Sequence, residues 1–208
     1  MHDGSESTEN PGVMVRKRRK GIYILPNLFT LAALFGGFYS IVMAMNGRFD
    51  MAAVGVFCAM VLDSLDGRVA RWRHASSPLG RELDSLADVI SFGVAPAVIA
   101  YGCGMQGLWD RIVLGYFVAC GVSRLARFNV TAEKLSAGTG KVKYFEGTPI
   151  PTSLLLVFLL WAAAAYGAIG PHLWGGQIVV LDYVLHPLVL LFALSGSLMI
   201  SRLRIPKL

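Results

Sequence analysis

Four aspartates, Asp63, Asp66, Asp84 and Asp88, stand within 26 residues of one another, at the facing ends of two apolar runs. At about 100° per helical residue, Asp63, Asp66, Gly67 and Ala70 share one face of a helix. Gly80, Asp84 and Asp88 follow at i, i+4 and i+8, again on one face. A short loop joins the two runs, so their helices are expected to be antiparallel, and two carboxylate faces can meet across a narrow gap. An Asp at membrane depth costs roughly 2.5–3.5 kcal/mol, and four together repel one another. A hard cation relieves both problems. Mg²⁺, Mn²⁺ and Ca²⁺ all prefer carboxylate oxygen, and one or two such ions would neutralise most of the charge. Gly67, Ala70 and Gly80 leave room for a ligand or for close helix approach. The alternative for these acids is an ion-pair cluster with Arg68, Arg71 and Arg81, which would not by itself require small residues on the same faces.

These acids need elements to carry them. The chain has 208 residues, 55% apolar and 15% charged, against about 25% charged in soluble domains. That balance excludes disorder and an ordinary soluble domain. The net charge of +6 would suggest a nucleic-acid partner on a soluble protein, but the placement of the charges argues otherwise. Apolar runs cover about 26–45, 51–65, 85–103, 112–126, 150–169 and 178–200. Four are long enough to cross the hydrocarbon core as helices; the second and fourth suffice only when polar ends to about 70 and 128 are included. With no period-2 alternation, a barrel is excluded. The expected fold is all-α, a polytopic membrane protein of six transmembrane helices with a metal site on the cytoplasmic side. With a cytoplasmic N-terminus, only Arg48 and Arg111 of the 19 Lys and Arg fall outside, which places both termini in the cytoplasm.

The organisation follows: a polar tail over 1–12 expected to be disordered, a basic juxtamembrane segment over 13–25, a six-helix domain over 26–201 and a basic cytoplasmic tail over 202–208. Residues 13–25 suit either an amphipathic helix on anionic lipid or a plain basic anchor. Cys58, Cys103 and Cys120 read as small packing residues, not a disulfide framework. His74, His172 and His186 carry no partner pattern. Walker loops, dinucleotide-binding glycine motifs, CxxC pairs and Ser/His/Asp arrangements are all missing from the sequence.

The acids and small residues read Asp63-x2-Asp66-Gly67-x2-Ala70-Arg71-x8-Gly80-x3-Asp84-x3-Asp88. This pattern resembles, at all eight defined positions, the signature of the CDP-alcohol phosphatidyltransferase family, and the likeness extends over nearly all of the chain after about residue 22. The resemblance implies an enzyme in which an alcohol hydroxyl attacks the lipid-bearing phosphorus of a CDP-linked lipid and CMP leaves. It implies Asp63, Asp66, Asp84 and Asp88 as ligands of one or two divalent cations, Mg²⁺ or Mn²⁺, with Asp88 the candidate general base and Asp84 beside it at the reacting centre. It implies contacts to the CDP moiety from Asn27, Thr30, Asp63, Gly67, Ala70, Arg71 and Gly80. Helix capping is the alternative for Asn27 and Thr30.

Three further stretches bear on the acceptor: Ser91-Phe92-Gly93-Val94-Ala95-Pro96, the span ending in Arg124-Leu125-Ala126-Arg127-Phe128-Asn129, and Phe145-Glu146-Gly147-Thr148-Pro149-Ile150-Pro151. Together they resemble the branch of the family that uses L-serine, with CDP-diacylglycerol as donor. Arg124 and Arg127, three apart on one helical face, offer guanidinium forks suited to carboxylate or phosphate, or else anchor the helix by reaching the interface. Asn129 and Lys143 join them as expected serine or phosphate contacts. The resemblance also implies a homodimer in the cytoplasmic (inner) membrane, with membrane lipid and no nucleic acid as partner. Rival readings are a sister enzyme accepting glycerol 3-phosphate, inositol phosphate or choline, and a small metal-ion transporter, since intramembrane acids also line transport paths.

Overall fold

The computed structural model describes residues 24–72, 78–136, 144–146, 150–201 and 204–206. Helix α1 (Ile24–Met45) carries Pro26 in its first turn, where a missing N–H costs nothing. It closes at Asn46-Gly47: the Asn46 side chain donates to the Val42 carbonyl at 2.8 Å, and Gly47 supplies a φ of 70°. Helix α2 (Phe49–Trp72) follows at once, with Asp50 in its first turn complementing the helix dipole.

Helix α3 (Pro78–Asp88), a π-turn over Val89–Val94 and helix α4 (Ala95–Gly102) form one uninterrupted rod. Helix α5 (Leu108–Ser136) is the longest at 29 residues. It runs well beyond the expected 112–126 in both directions. Helices α6 (Ser153–Ala165) and α7 (Leu190–Ile200) complete the bundle, each led in by a short 3₁₀ turn.

The core is small-residue packing around a few large side chains. Helices α1 and α2 lie closest: a Cβ on Gly55 would sit 2.9 Å from the Gly36 carbonyl oxygen, so their backbones touch as only glycines allow. Ala33, Ala52, Val56, Ala59, Ala95 and Ile99 are buried around that crossing. On the other side α5 packs against α7, where Phe117 meets Phe192 edge to face at 5.2 Å. The outward surface is also apolar: Phe35 is 73% exposed and Leu155 74%.

Two short ribbons qualify the all-α expectation. Strands β2 (Ile178–Val180) and β3 (Tyr183–Leu185) pair antiparallel across Leu181 and Asp182, both with positive φ, as a two-residue hairpin requires. The expected sixth span over 178–200 is therefore corrected: its first eight residues are a hairpin, and only Pro187–Ile200 is helical. Strand β1 (Tyr144–Glu146), in the segment after α5, pairs with β4 (Arg204–Pro206) near the C-terminal end. Among the described residues, two helical stretches are long and apolar enough to cross a membrane, Asn27–Met45 and Leu79–Gly102. The apolar helices of α6 and α7 are shorter, and α2 and α5 carry charged residues toward both ends.

Candidate metal centre

Helices α2 and α3 both pack against α1, and this shared support brings the acid stripes together. One carboxylate oxygen from each of Asp63, Asp66 and Asp84 lies within 4.8 Å of the other two. Asp88, one turn beyond Asp84, reaches hydrogen-bonding range of Asp63. Asp66 is the most enclosed, at 5% exposure, and is held from α1 by Thr30, whose hydroxyl donates at 2.8 Å. Three helices thus fix the cluster: α2 with two acids, α3 with two, and α1 with the hydroxyl that orients one of them.

Among the described residues, none of the four acids forms an ion pair with a Lys or Arg. Arg68 is exposed and Arg81 is not bonded to them, so these two arginines do not build the alternative ion-pair cluster. Converging carboxylate oxygens have the donor chemistry of a site for a hard divalent ion. Gly67 and Gly80 sit half-buried on the same faces.

The remaining expected site residues divide. Asn27 is half-buried at the start of α1, on the same end of the bundle. Arg124, on α5, interacts electrostatically with Asp88, and its Nε is buried with no hydrogen-bond partner among the described residues. Arg127 points elsewhere, exposed and donating to the Ile200 carbonyl at 3.4 Å. Asn129 turns toward α3, where its amide donates to Ser85 at 2.9 Å and to Glu82 at 3.4 Å. It braces the helix that carries Asp84, a contact that one sequence could not reveal. The side chains of Ala70 and Arg71, and all of Lys143 and His74, lie outside the described residues, as do the tail over 1–12 and most of the segment over 13–25.

At the opposite end of the bundle, His186 does have a partner, contrary to expectation. Its Nδ1 lies 2.6 Å from an oxygen of Asp110, its backbone N–H donates to the other at 2.9 Å, and Gly107 N–H adds a third bond at 3.0 Å. Gln177 contacts His186 Nε2 at 3.2 Å. The cluster fastens the β2–β3 hairpin to the first turn of α5, helped by Trp109, whose indole N–H donates to the Val180 carbonyl at 2.9 Å. Of the cysteines, Cys103 and Cys120 are buried as expected, while Cys58 is on the exposed surface of α2.

The chain is similar to known proteins of one family. A family model described as CDP-alcohol phosphatidyltransferase matches residues 23–195, which includes all four acids, Thr30 and Arg124. A CDP-diacylglycerol–serine O-phosphatidyltransferase from Saccharomyces cerevisiae is 44% identical over 97% of this chain and 75% of its own length. An enzyme of the same name from Helicobacter pylori is 45% identical over 66% of this chain and 57% of its own. Archaetidylserine synthase from Methanothermobacter thermautotrophicus is 35% identical over 74% of this chain and 64% of its own. No solved structure matches the chain. With the family model covering the chain from the start of α1 into α7, the chain belongs to the CDP-alcohol phosphatidyltransferase family.

Proposed function

We propose that the protein transfers the phosphatidyl group of CDP-diacylglycerol to the hydroxyl of L-serine, yielding phosphatidylserine and CMP. The observation that carries this reading is the convergence of Asp63, Asp66 and Asp84, in a chain 44% identical to a relative named for that reaction.

Each residue has a part in the chemistry. Asp63, Asp66, Asp84 and Asp88 would hold divalent cations, Mg²⁺ or Mn²⁺ and two in number, which when bound neutralise the pyrophosphate and the departing CMP. Thr30 keeps the Asp66 carboxylate turned into the cluster. Asp88 accepts the proton of the serine hydroxyl as its oxygen bonds to phosphorus; the phosphoanhydride P–O bond breaks and CMP leaves with that electron pair. Arg124 faces Asp88 and receives the serine carboxylate, with Arg127 and Lys143 adding positive charge nearby and Asn129 holding α3 in place. Asn27, Gly67, Ala70, Arg71 and Gly80 border the CDP moiety. The domain over 26–201 lies as six spans in the cytoplasmic membrane, both termini cytoplasmic, and works as a homodimer. The apolar outer surface of the bundle supports a lipid setting.

The test is an acceptor panel. Purified protein receives CDP-diacylglycerol with labelled L-serine, glycerol 3-phosphate, inositol phosphate or choline, with Mg²⁺ or Mn²⁺. CMP release with phosphatidylserine as the lipid product is expected. Phosphatidylglycerophosphate without serine incorporation would overturn the acceptor, and metal accumulation in liposomes without CMP release would overturn the reaction.

A further inference from the structure

The rod that carries Asp84 and Asp88 is not a plain α-helix. Directly after Asp88 the backbone widens into a π-turn over Val89–Val94 and then returns to α-helix. A π-turn takes up one residue more than an α-turn, and such insertions occur mostly at functional sites. Its effect here is rotational. Since an α-helix advances about 100° per residue, closing the π-turn into α-helix would swing everything on one side of it by roughly 100° about the axis. The α4 side cannot move: Ala95, Ile99 and Ala100 are all buried in the core. The swing would fall on α3, and the Asp84–Asp88 stripe would leave the stripe on α2. Leu79 and Leu86 are exposed, so on α3 itself such a rotation is resisted by its contact with α1 and by the Asn129 bonds to Ser85 and Glu82.

Helix α1 holds the π-turn open. Ser91, within the turn, is fully buried, and its hydroxyl donates to the Ala33 carbonyl of α1 at 3.2 Å. One turn along the same face of α1 is Gly37, where a Cβ would come within 2.8 Å of the Ser91 Cα. Backbone meets backbone there, and any side chain on α1 would push the turn away. Ala33 and Gly37 therefore form a slot that receives Ser91, on the helix whose Thr30 also orients Asp66. Ser91-Phe92-Gly93 belongs to an acceptor-related motif with no part in the chemistry above.

We infer that the Ser91-clamped π-turn sets the rotation of α3, making Ser91 and Gly37 positioning residues that aim Asp84 and Asp88 at Asp63 and Asp66. This rests on the metal reading above. The test uses the whole chain in detergent micelles, with Mn²⁺ alone titrated and free ion read by electron paramagnetic resonance, alongside thermal unfolding. Ser91→Ala and Gly37→Ala are each expected to weaken Mn²⁺ binding by about tenfold or more, the scale seen when ligand-orienting contacts are removed. The unfolding midpoint of Ser91→Ala should stay near that of Ser40→Ala, which removes another buried serine from α1 and should bind Mn²⁺ like the parent. Should Gly37→Ala fail to fold, Ser91→Ala carries the test. Parental affinity in Ser91→Ala, or an equal loss in Ser40→Ala, overturns the inference. Asp66→Asn separates the two layers: if it loses Mn²⁺ while Ser91→Ala keeps it, the positioning inference alone fails; if Asp66→Asn binds like the parent, the metal reading fails and takes the inference with it.

Discussion

Two groups of enclosed aspartates stand at opposite ends of the bundle, and they are solved in opposite ways. Asp110 is fully buried, and both its oxygens are met by donors from the chain: the His186 ring and backbone and the Gly107 N–H. Asp63, Asp66 and Asp84 converge on one another, and Asp66 accepts from the Thr30 hydroxyl and from the Gly67 backbone N–H. A carboxylate whose partners come from its own chain is architecture, since burial without them is costly. A carboxylate cluster that, among the described residues, forms no ion pair with a Lys or Arg has the chemistry to receive something that arrives from outside. The same residue type thus serves as fastener at one end and as receptor at the other.

This contrast can be tested from both ends. The largest effect is expected from Asp66→Ala: CMP release should fall by about a thousandfold or more, while thermal unfolding stays at or above the parental midpoint because like-charge repulsion is relieved. Asp110→Ala should do the reverse. It strands buried donors and costs about 3 kcal/mol of stability, read by denaturation, with the Mn²⁺ dependence of activity unchanged. A variant that kept its stability and lost its metal dependence would erase the distinction. Next in size, Mn²⁺ at a hundredfold above its dissociation constant should stabilise the parent by about 2.7 kcal/mol, and chelation should remove the gain; Asp110→Ala should keep this response and Asp66→Ala lose it.

Arg124→Ala should raise the KM for serine by about 30-fold, equivalent to about 2 kcal/mol, with little change in KM for the lipid donor. An equal rise in both would move Arg124 from the acceptor to the donor phosphates. The smallest effect is expected from Thr30→Val, which removes a hydrogen bond to a charged group worth about 1.5 kcal/mol. Half-activation by Mn²⁺ should shift upward by about tenfold, with the maximal rate largely kept.

Much of the receptor end could be read from spacing, because an i, i+3, i+4 pattern is itself a statement about a helix face. Asp63, Asp66, Asp84 and Asp88 needed only two helices held against a third to meet. The fastener end was hidden for the converse reason: Asp110 and His186 lie 76 residues apart, and no local pattern links them. The hairpin was missed because Ile178–Leu185 is apolar and rich in β-branched residues, and so reads equally as strand or as the start of a long apolar helix. Leu181 and Asp182 at positive φ give no glycine to mark the turn. The π-turn escaped as well, since the sequence Val89–Val94 carries no signal for an extra residue per turn. Asn129 drew its expected role from a motif, whereas its position opposite Ser85 depends on how far α5 extends past the apolar run.

The ribbon of β1 with β4 has a consequence for how the protein is made. Tyr144–Glu146 sits in the segment between α5 and α6, at the end of the bundle where the acids lie. Its partner strand, Arg204–Pro206, leaves the ribosome only after α6, the hairpin and α7 have all been synthesised. The helices can enter the bilayer and pack in order, but that segment acquires its second strand last. The nascent chain therefore passes through a stage in which the four acids are already together and the segment beside them is still unpaired.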